Sequence, residues 1–316
     1  MHNTTRRGFI VARTLKPLSD AGIDITFGMG NHDNRANFLE AFPDFRGKMK
    51  RGEMNKLVSV AIFAAVAAAA TAGSAKSGQA RPPADTVGAA RIDAKTGDKT
   101  RDPGLFGEYW WANRFMSRRR EADKYQGRTV DVAMVGDSIT HFWEWKHPQS
   151  WAKFTEGRTA INLGYGGDRT QHVIWRIEHG ELDGYKAKNV VVMIGTNNNS
   201  PGNANPTNVF KGVEKIVKLV KARQPEARII LHPIFPRGCS PEPSKGHAAA
   251  QKRNEITNSL LKEYAAAHPE LVWVDFNAKL VDESGWVPRS LMPDEVHPSD
   301  EGYDIWMQAL LPNLTR

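Results

Sequence analysis

Residues 129–140 read TVDVAMVGDSIT, an apolar, β-branched run that passes without interruption into Gly136-Asp137-Ser138-Ile139-Thr140. A run of this length and composition predicts a buried strand. Gly-Asp-Ser then supplies the turn and the N-cap chemistry that open a helix. Ser138 is thereby placed at the C-terminal end of a strand, beside the free N–H groups of a helix's first turn. Those amides and the positive end of the helix dipole favour negative charge there.

Four similar runs follow, at Thr159–Leu163, Asn189–Ile194, Arg228–Ile234 and Leu271–Asp275. The segments between them have helical spacing. In the clearest, Val209, Phe210, Val213, Ile216, Val217 and Val220 form an i, i+3/i+4, i+7 stripe with lysines opposite. It starts after Asn205-Pro206 and stops before Gln224-Pro225, both sensible helix boundaries. Strands alternating with helices predict an α/β domain with a parallel sheet covered on both faces. Five such strands predict a three-layer α/β/α, flavodoxin-like arrangement over residues 105–316. Right-handed crossovers bring the C-terminal strand ends, and the functional site, to one edge.

Three further stretches reach that edge. Asn162-Leu163-Gly164-Tyr165-Gly166-Gly167-Asp168-Arg169-Thr170 follows the second strand, and its glycines allow backbone N–H groups to approach a ligand closely. A dinucleotide fingerprint does not fit, because its third glycine would fall at Arg169. The third strand ends in Gly195-Thr196-Asn197, where an Asn carboxamide can aim N–H donors into the cleft. Asp294-Glu295-Val296-His297 precedes the last helix. An Asp and a His three apart on one turn can face the same way, the carboxylate fixing the imidazole tautomer and leaving the other nitrogen for the serine. The pentapeptide at 136–140 is not the G-x-S-x-G elbow of α/β-hydrolases.

The formal charge of +8 would suit a nucleic-acid partner, but half of it lies in residues 1–75. The other basic residues are dispersed apart from Arg118–Arg120, so no nucleic-acid groove is expected. The single cysteine, Cys239, excludes an internal disulfide or a cysteine metal cluster, and a small buried residue is expected there. Trp110, Trp111, Trp143 and Trp145 suit either sugar stacking or core packing.

The N-terminal third has a different texture. Met54-Asn55-Lys56, the apolar run LVSVAIFAAVAAAA (57–70) and the small residues Ala70-Thr71-Ala72 and Gly73-Ser74-Ala75 have the order of a secretory signal. Fourteen residues are too short for a hydrocarbon core of about 30 Å. Residues 54–75 are therefore expected to be a signal peptide and the protein to be exported, to the periplasm or beyond, without a stable membrane span. Translation is then expected to begin at Met54 or Met49, with residues 1–53 a gene-model extension. That extension holds a twin-arginine-like Arg6-Arg7 without an apolar run behind it. It also holds Gly30-Asn31-His32-Asp33, which resembles one ligand block of metallophosphoesterases. The companion ligand blocks such a two-metal site requires are absent. Residues 76–104, rich in Gly, Pro, Ala, Lys and Asp, are expected to be a flexible leader.

Taken in order, Gly-Asp-Ser (136–138), Gly-Gly-Asp (166–168), Gly-Thr-Asn (195–197) and Asp-x-x-His (294–297) resemble the four blocks of the SGNH, or GDSL-type, hydrolases. NLGYGGDRTQHVIWRIEHGEL (162–182), VVVMIGTNNNS (190–200), FPRGCSPEP (235–243) and KRNEI (252–256) are similar to the catalytic α subunits of the platelet-activating-factor acetylhydrolase Ib family. The resemblance spans about residues 105–314. It implies a carboxylic ester hydrolase with Ser138 as nucleophile and Asp294 and His297 completing a triad. The oxyanion donors it implies are the Ser138 and Gly167 amides and the Asn197 side chain, and no metal or organic cofactor is required. It further implies a short acyl group, most simply acetyl, on a small-molecule, carbohydrate or lipid alcohol, and a homodimer as the assembly to test. Two alternatives stand beside it: a lysophospholipase or broad lipase, and a catalytically silent, secreted glycan-binding module.

Overall fold

A computed structural model of the chain describes residues 83–89 and 110–315. The expectations for residues 1–53 and 54–75 lie outside the described residues, as does most of 76–104. In chain order the elements are α1 (Trp110–Asp123), β1 (Thr129–Gly136), α2 (Ser138–Trp145), α3 (Pro148–Thr155), β2 (Ala160–Gly164), α4 (Thr170–Glu178) and β3 (Lys186–Met193). They continue with the one-turn α5 (Thr196–Asn199), α6 (Pro206–Arg223), β4 (Arg228–Leu231), α7 (Lys245–Ala267), β5 (Leu271–Trp273) and α8 (Asp300–Leu310).

The five strands form one sheet in the order β2-β1-β3-β4-β5, every neighbouring pair parallel. This is the flavodoxin-like order, with the chain reversing its direction of growth after β2. The strand register gives each residue to one of two faces. Val130, Val135, Val190, Val192, Ile229 and Leu231 pack with residues of α4 and α6 such as Val173, Ile177, Val213 and Val217. Val132, Met134, Val191, Met193 and Ile230 pack with Ile139, Trp143, Phe154, Tyr303 and Trp306 of α2, α3 and α8. Both faces are apolar because both are covered, the condition a parallel sheet requires.

The amphipathic stripe becomes α6, capped by the Asn205 side chain, which accepts from the Thr207 amide at 3.0 Å, with Pro206 in the first turn. The fourth strand ends at Leu231, three residues before the expected end. His232 still donates its amide to Val192, but Pro233 has no N–H with which to continue the ladder. Trp111 and Trp143 have no exposed surface and belong to the core, while Trp145 is 45% exposed. Cys239 is buried, its thiol donating to the Met292 carbonyl. No helix among the described residues is long and apolar enough to cross a membrane.

Residues 83–89, which fall within the stretch expected to be a flexible leader, are docked on the domain through a 3-10 turn at Ala84–Thr86. The Ala89 amide donates to the Gln171 carbonyl at 3.0 Å, and Lys215 Nζ donates to the Thr86 carbonyl at 3.2 Å. Composition signalled disorder because the segment is poor in apolar residues. It is held instead by backbone hydrogen bonds, which composition does not report.

Candidate active site

The C-terminal ends of β1, β2 and β3 carry the first three sequence motifs, and the turn before α8 brings the fourth alongside. Ser138 is the first residue of α2 and 6% exposed. Asp137, the N-cap, accepts from the Ile139 amide at 3.0 Å and fixes the turn that presents the serine. The close approach of α2 to the sheet requires glycine at two strand ends. A Cβ on Gly136 would lie 2.1 Å from Thr140 Oγ1 and 2.7 Å from the Met193 carbonyl. One on Gly164 would lie 2.3 Å from the His141 amide nitrogen. Asn162 ties the same corner, donating from Nδ2 to the Thr140 carbonyl at 2.7 Å and accepting from the Gly164 amide at 2.9 Å.

His297 Nε2 lies 2.8 Å from Ser138 Oγ, and His297 Nδ1 lies 2.6 Å from Asp294 Oδ2. The other carboxylate oxygen of Asp294 accepts from the backbone amides of His297 at 2.7 Å and Val296 at 3.1 Å. Burial would raise the Asp294 carboxyl, but the hydrogen bond and charge of His297 and those two amides outweigh it and hold the group well below the usual carboxylate range. Ionised Asp294 holds Nδ1 as the protonated nitrogen, so Nε2 of a neutral ring is the one available to accept a proton. The ring of Phe142 packs against that of His297, centroid to centroid 4.7 Å.

Gly167 sits in the loop between β2 and α4 at φ +70°, a conformation that favours glycine. Asn197 is in α5, and its Nδ2 donates to the Asp168 carbonyl at 2.9 Å. That bond joins the glycine loop to the Asn197 turn and uses one of the two Nδ2 hydrogens. All five residues selected from the sequence, Ser138, Gly167, Asn197, Asp294 and His297, thus belong to motifs gathered at one edge of the sheet.

The sequence did not reveal what supports them. Beneath the glycine loop, Asp168 has no exposed surface; it accepts from Trp111 Nε1 at 2.7 Å and from Arg176 Nε at 3.0 Å. Arg176, also fully buried, pairs with Glu181, donates to the Gly136 carbonyl at 3.3 Å and stacks over the Tyr165 ring. Burial alone would lower the Arg176 pKa, but Glu181 and Asp168 raise it, so the guanidinium is charged. Arg237 braces α5 from another side through Ser200 Oγ at 2.7 Å and Thr196 Oγ1 at 3.3 Å. In the triad turn Glu295 takes a left-handed backbone, φ +67°, which costs a residue with a side chain roughly 1–2 kcal/mol. Its Oε2 accepts from the Ser244 amide at 3.2 Å and its carbonyl from the Gly238 amide at 2.9 Å. The one sequence signal for these supports is that Asp168 and Arg176 stand eight residues apart around the segment that follows the glycine loop; their mutual contact is tertiary.

Comparison with known proteins finds relatives of the chain and of its fold. Residues 134–305 match the model of the GDSL-like lipase/acylhydrolase family. The chain is 34% identical over 186 residues to platelet-activating factor acetylhydrolase IB subunit alpha1 of Homo sapiens, covering 59% of this chain and 76% of that one. It is 34% identical over 173 residues to the alpha2 subunit of Rattus norvegicus, covering 55% and 71%. Among solved structures, a GDSL-like lipase from Bacteroides thetaiotaomicron superposes with a TM-score of 0.50 at 24% identity, over 63% of this chain and 97% of that one, a likeness of fold.

Proposed function

The chain belongs to the GDSL-like lipase/acylhydrolase family, and from that premise we propose that it hydrolyses short-chain O-esters with Ser138 as nucleophile, His297 as general base and Asp294 as the group that orients it. As a member of that family it is a carboxylic ester hydrolase. The observation that carries the roles of the three residues is the continuous chain Asp294 Oδ2, His297 Nδ1, His297 Nε2, Ser138 Oγ, with spacings of 2.6 and 2.8 Å at its two ends.

Ser138 Oγ attacks the ester carbonyl carbon as its proton passes to His297 Nε2. The carbonyl oxygen gains the negative charge and is met by the Ser138 amide, the Gly167 amide and the second Nδ2 hydrogen of Asn197. Collapse of the tetrahedral intermediate breaks the bond to the alcohol, which leaves with the proton held on His297. Water, deprotonated by His297, then attacks the acyl-serine, and the acid and free Ser138 are released. Every proton in the cycle is carried by His297, so the chemistry needs no cofactor.

An acetyl group is the acyl portion we favour, since the relatives named above are acetylhydrolases. An acetylated carbohydrate or a lipid ester fits the alcohol portion. The protein is proposed to act after export, the order of residues 54–75 being that of a secretory signal. Edman sequencing of the protein secreted by an expression host should find a mature N-terminus at or near Ala75; an intact N-terminus on exported protein would refute this.

The test of the activity is hydrolysis of p-nitrophenyl acetate against p-nitrophenyl octanoate, with a Ser138→Ala control and with EDTA. Acetate turnover that disappears in Ser138→Ala and is insensitive to EDTA is expected. Octanoate turnover of similar size would identify a broad lipase instead. Ser138-independent turnover would remove Ser138 from the mechanism.

A further inference from the structure

Asp85 lies in the docked segment 83–89, outside the stretch matched by the family, yet it bonds both loops that carry the proposed oxyanion donors. Its carboxylate Oδ1 accepts from Asn198 Nδ2 at 2.7 Å, and Asn198 is the immediate neighbour of Asn197. Its backbone carbonyl accepts from Thr170 Oγ1 at 2.9 Å, and Thr170 closes the loop that holds Gly167. The two loops are also bonded to each other at this point. The Thr170 amide donates to Asn198 Oδ1 at 3.0 Å, and Asn198 Nδ2 reaches Thr170 Oγ1 at 2.9 Å. Asn198 and Thr170 are both buried, at 5% and 0% exposure, so without Asp85 the Asn198 carboxamide is left with Thr170 Oγ1 at 2.9 Å and Gln171 Oε1 at 3.2 Å as its acceptors and little water to turn to.

The seat for this residue is built into the domain. Gly212, in the middle of α6, faces it, and a Cβ there would stand 2.6 Å from the Asp85 carbonyl oxygen and 2.7 Å from Thr170 Oγ1. Glycine inside a helix costs about 0.5–1 kcal/mol relative to alanine, and here it makes room for the segment. At the other end a Cβ on Gly88 would stand 2.4 Å from Glu178 Oε2 and 3.3 Å from the Trp175 amide nitrogen. Both glycines therefore mark a close backbone approach between the segment and the helices of one face.

We propose that residues 83–89 are a clasp, and that Asp85 is a positioning residue that holds the Gly167 loop and the Asn197 turn in mutual register for oxyanion stabilisation. The proposal rests on the assignment of Gly167 and Asn197 as oxyanion donors. Donors of this kind act by being fixed in place before charge develops, and a displacement of about 1 Å can cost as much as 100-fold in rate. Asp85 touches neither the serine nor the donor atoms; it acts through Asn198 and Thr170. The segment that follows an export signal would then be part of the working enzyme.

The experiment uses the full chain with Asp85→Ala and Asp85→Asn, which alter the carboxylate, and Gly88→Val, which crowds the seat of the segment against Ile174 and Trp175 of α4. Amide hydrogen exchange of residues 164–171 and 195–200 is read together with kcat and KM for p-nitrophenyl acetate. Asp85→Ala and Gly88→Val are expected to speed exchange in both loops and to lower kcat about tenfold with KM within about twofold. Asp85→Asn keeps an acceptor at Oδ1 and should restore most of kcat. Unchanged exchange in Asp85→Ala would overturn the clasp. Faster exchange with wild-type kcat would overturn its positioning role. Turnover that survives Ser138→Ala would instead indict the site assignment, and the exchange data would still decide whether the clasp exists.

Discussion

At the scale of single residues, Ser138, His297 and Asp294 are joined by hydrogen bonds of 2.8 and 2.6 Å, and their support lies in neighbours outside the triad. Asn197→Ala removes one of three proposed oxyanion donors, and kcat is expected to fall on the order of 100- to 1,000-fold without reaching the Ser138→Ala floor. Steady-state kinetics on p-nitrophenyl acetate checks this, and full activity would discard the assignment. Glu295 has two properties that substitution can separate, a left-handed backbone and a carboxylate seated on the Ser244 amide. Glu295→Gly loses the carboxylate but relieves the backbone, while Glu295→Ala loses the carboxylate and keeps the strain. The glycine variant should be the more stable of the two by about 1 kcal/mol in urea unfolding. Asp-x-x-His was legible in the sequence as a pair, whereas the strain between its two ends was not. A positive φ at a glutamate follows from the contacts made by residues 238 and 244, not from its own preference.

At the scale of elements, the junction of β1 and β2 with α2 decides where Ser138 stands. Gly136 and Gly164 let the helix begin in contact with the sheet, as the blocked positions of their Cβ atoms require. Gly164→Ala would push a methyl group into the His141 backbone, a loss expected at several kcal/mol or as failure to fold. Gly246→Ala, in the first turn of α7 with nothing within 4 Å of its Cβ, should be neutral or stabilising by up to about 1 kcal/mol. Thermal unfolding of the two variants side by side separates a steric requirement from a general glycine effect. The helices and strands themselves were readable from period and caps, since α6 begins and ends at its Pro206 and Gln224 signals. Where β4 stops was less readable, because Ile234 has strand composition but follows Pro233 out of the sheet.

Across the whole molecule, two buried titratable groups oppose one another in pH. Burial pushes the Asp137 carboxyl up to about 7, the hydrogen bond from the Ile139 amide working against it. Between the ordinary value of 3.8 and about 7 the folded protein holds a proton that the unfolded chain has released, so this group costs stability as pH rises through that window. His232 is buried, with Nδ1 bonded to the Val274 carbonyl and Nε2 to Trp306, and burial pushes it down to about 4. Between 6.5 and about 4 the unfolded chain binds a proton that the folded protein does not, so this group costs stability as pH falls. Asp137→Asn keeps an acceptor for the Ile139 amide and removes the first effect alone. Its thermal midpoint is expected to gain on wild type as pH rises from about 4 to 7 and to keep a constant lead above that. A gap that does not change with pH would mean that Asp137 ionises in the ordinary range.

The layers, the parallel sheet and the four motifs were legible along the chain, because hydrophobic period, turn chemistry and strand-end position are local properties that a linear reading preserves. The tertiary structure decided what holds those motifs still. Trp111 meets Asp168 across 57 residues, Ser138 meets His297 across 159, and Asp85 meets Asn198 across 113. Such contacts depend on the side chains that the fold brings together from distant segments, and nothing in the composition near Asp85 distinguishes a solvated leader from a clasp. Burial then sets the worth of each bond, since a polar group withdrawn from water must find its partner within the protein.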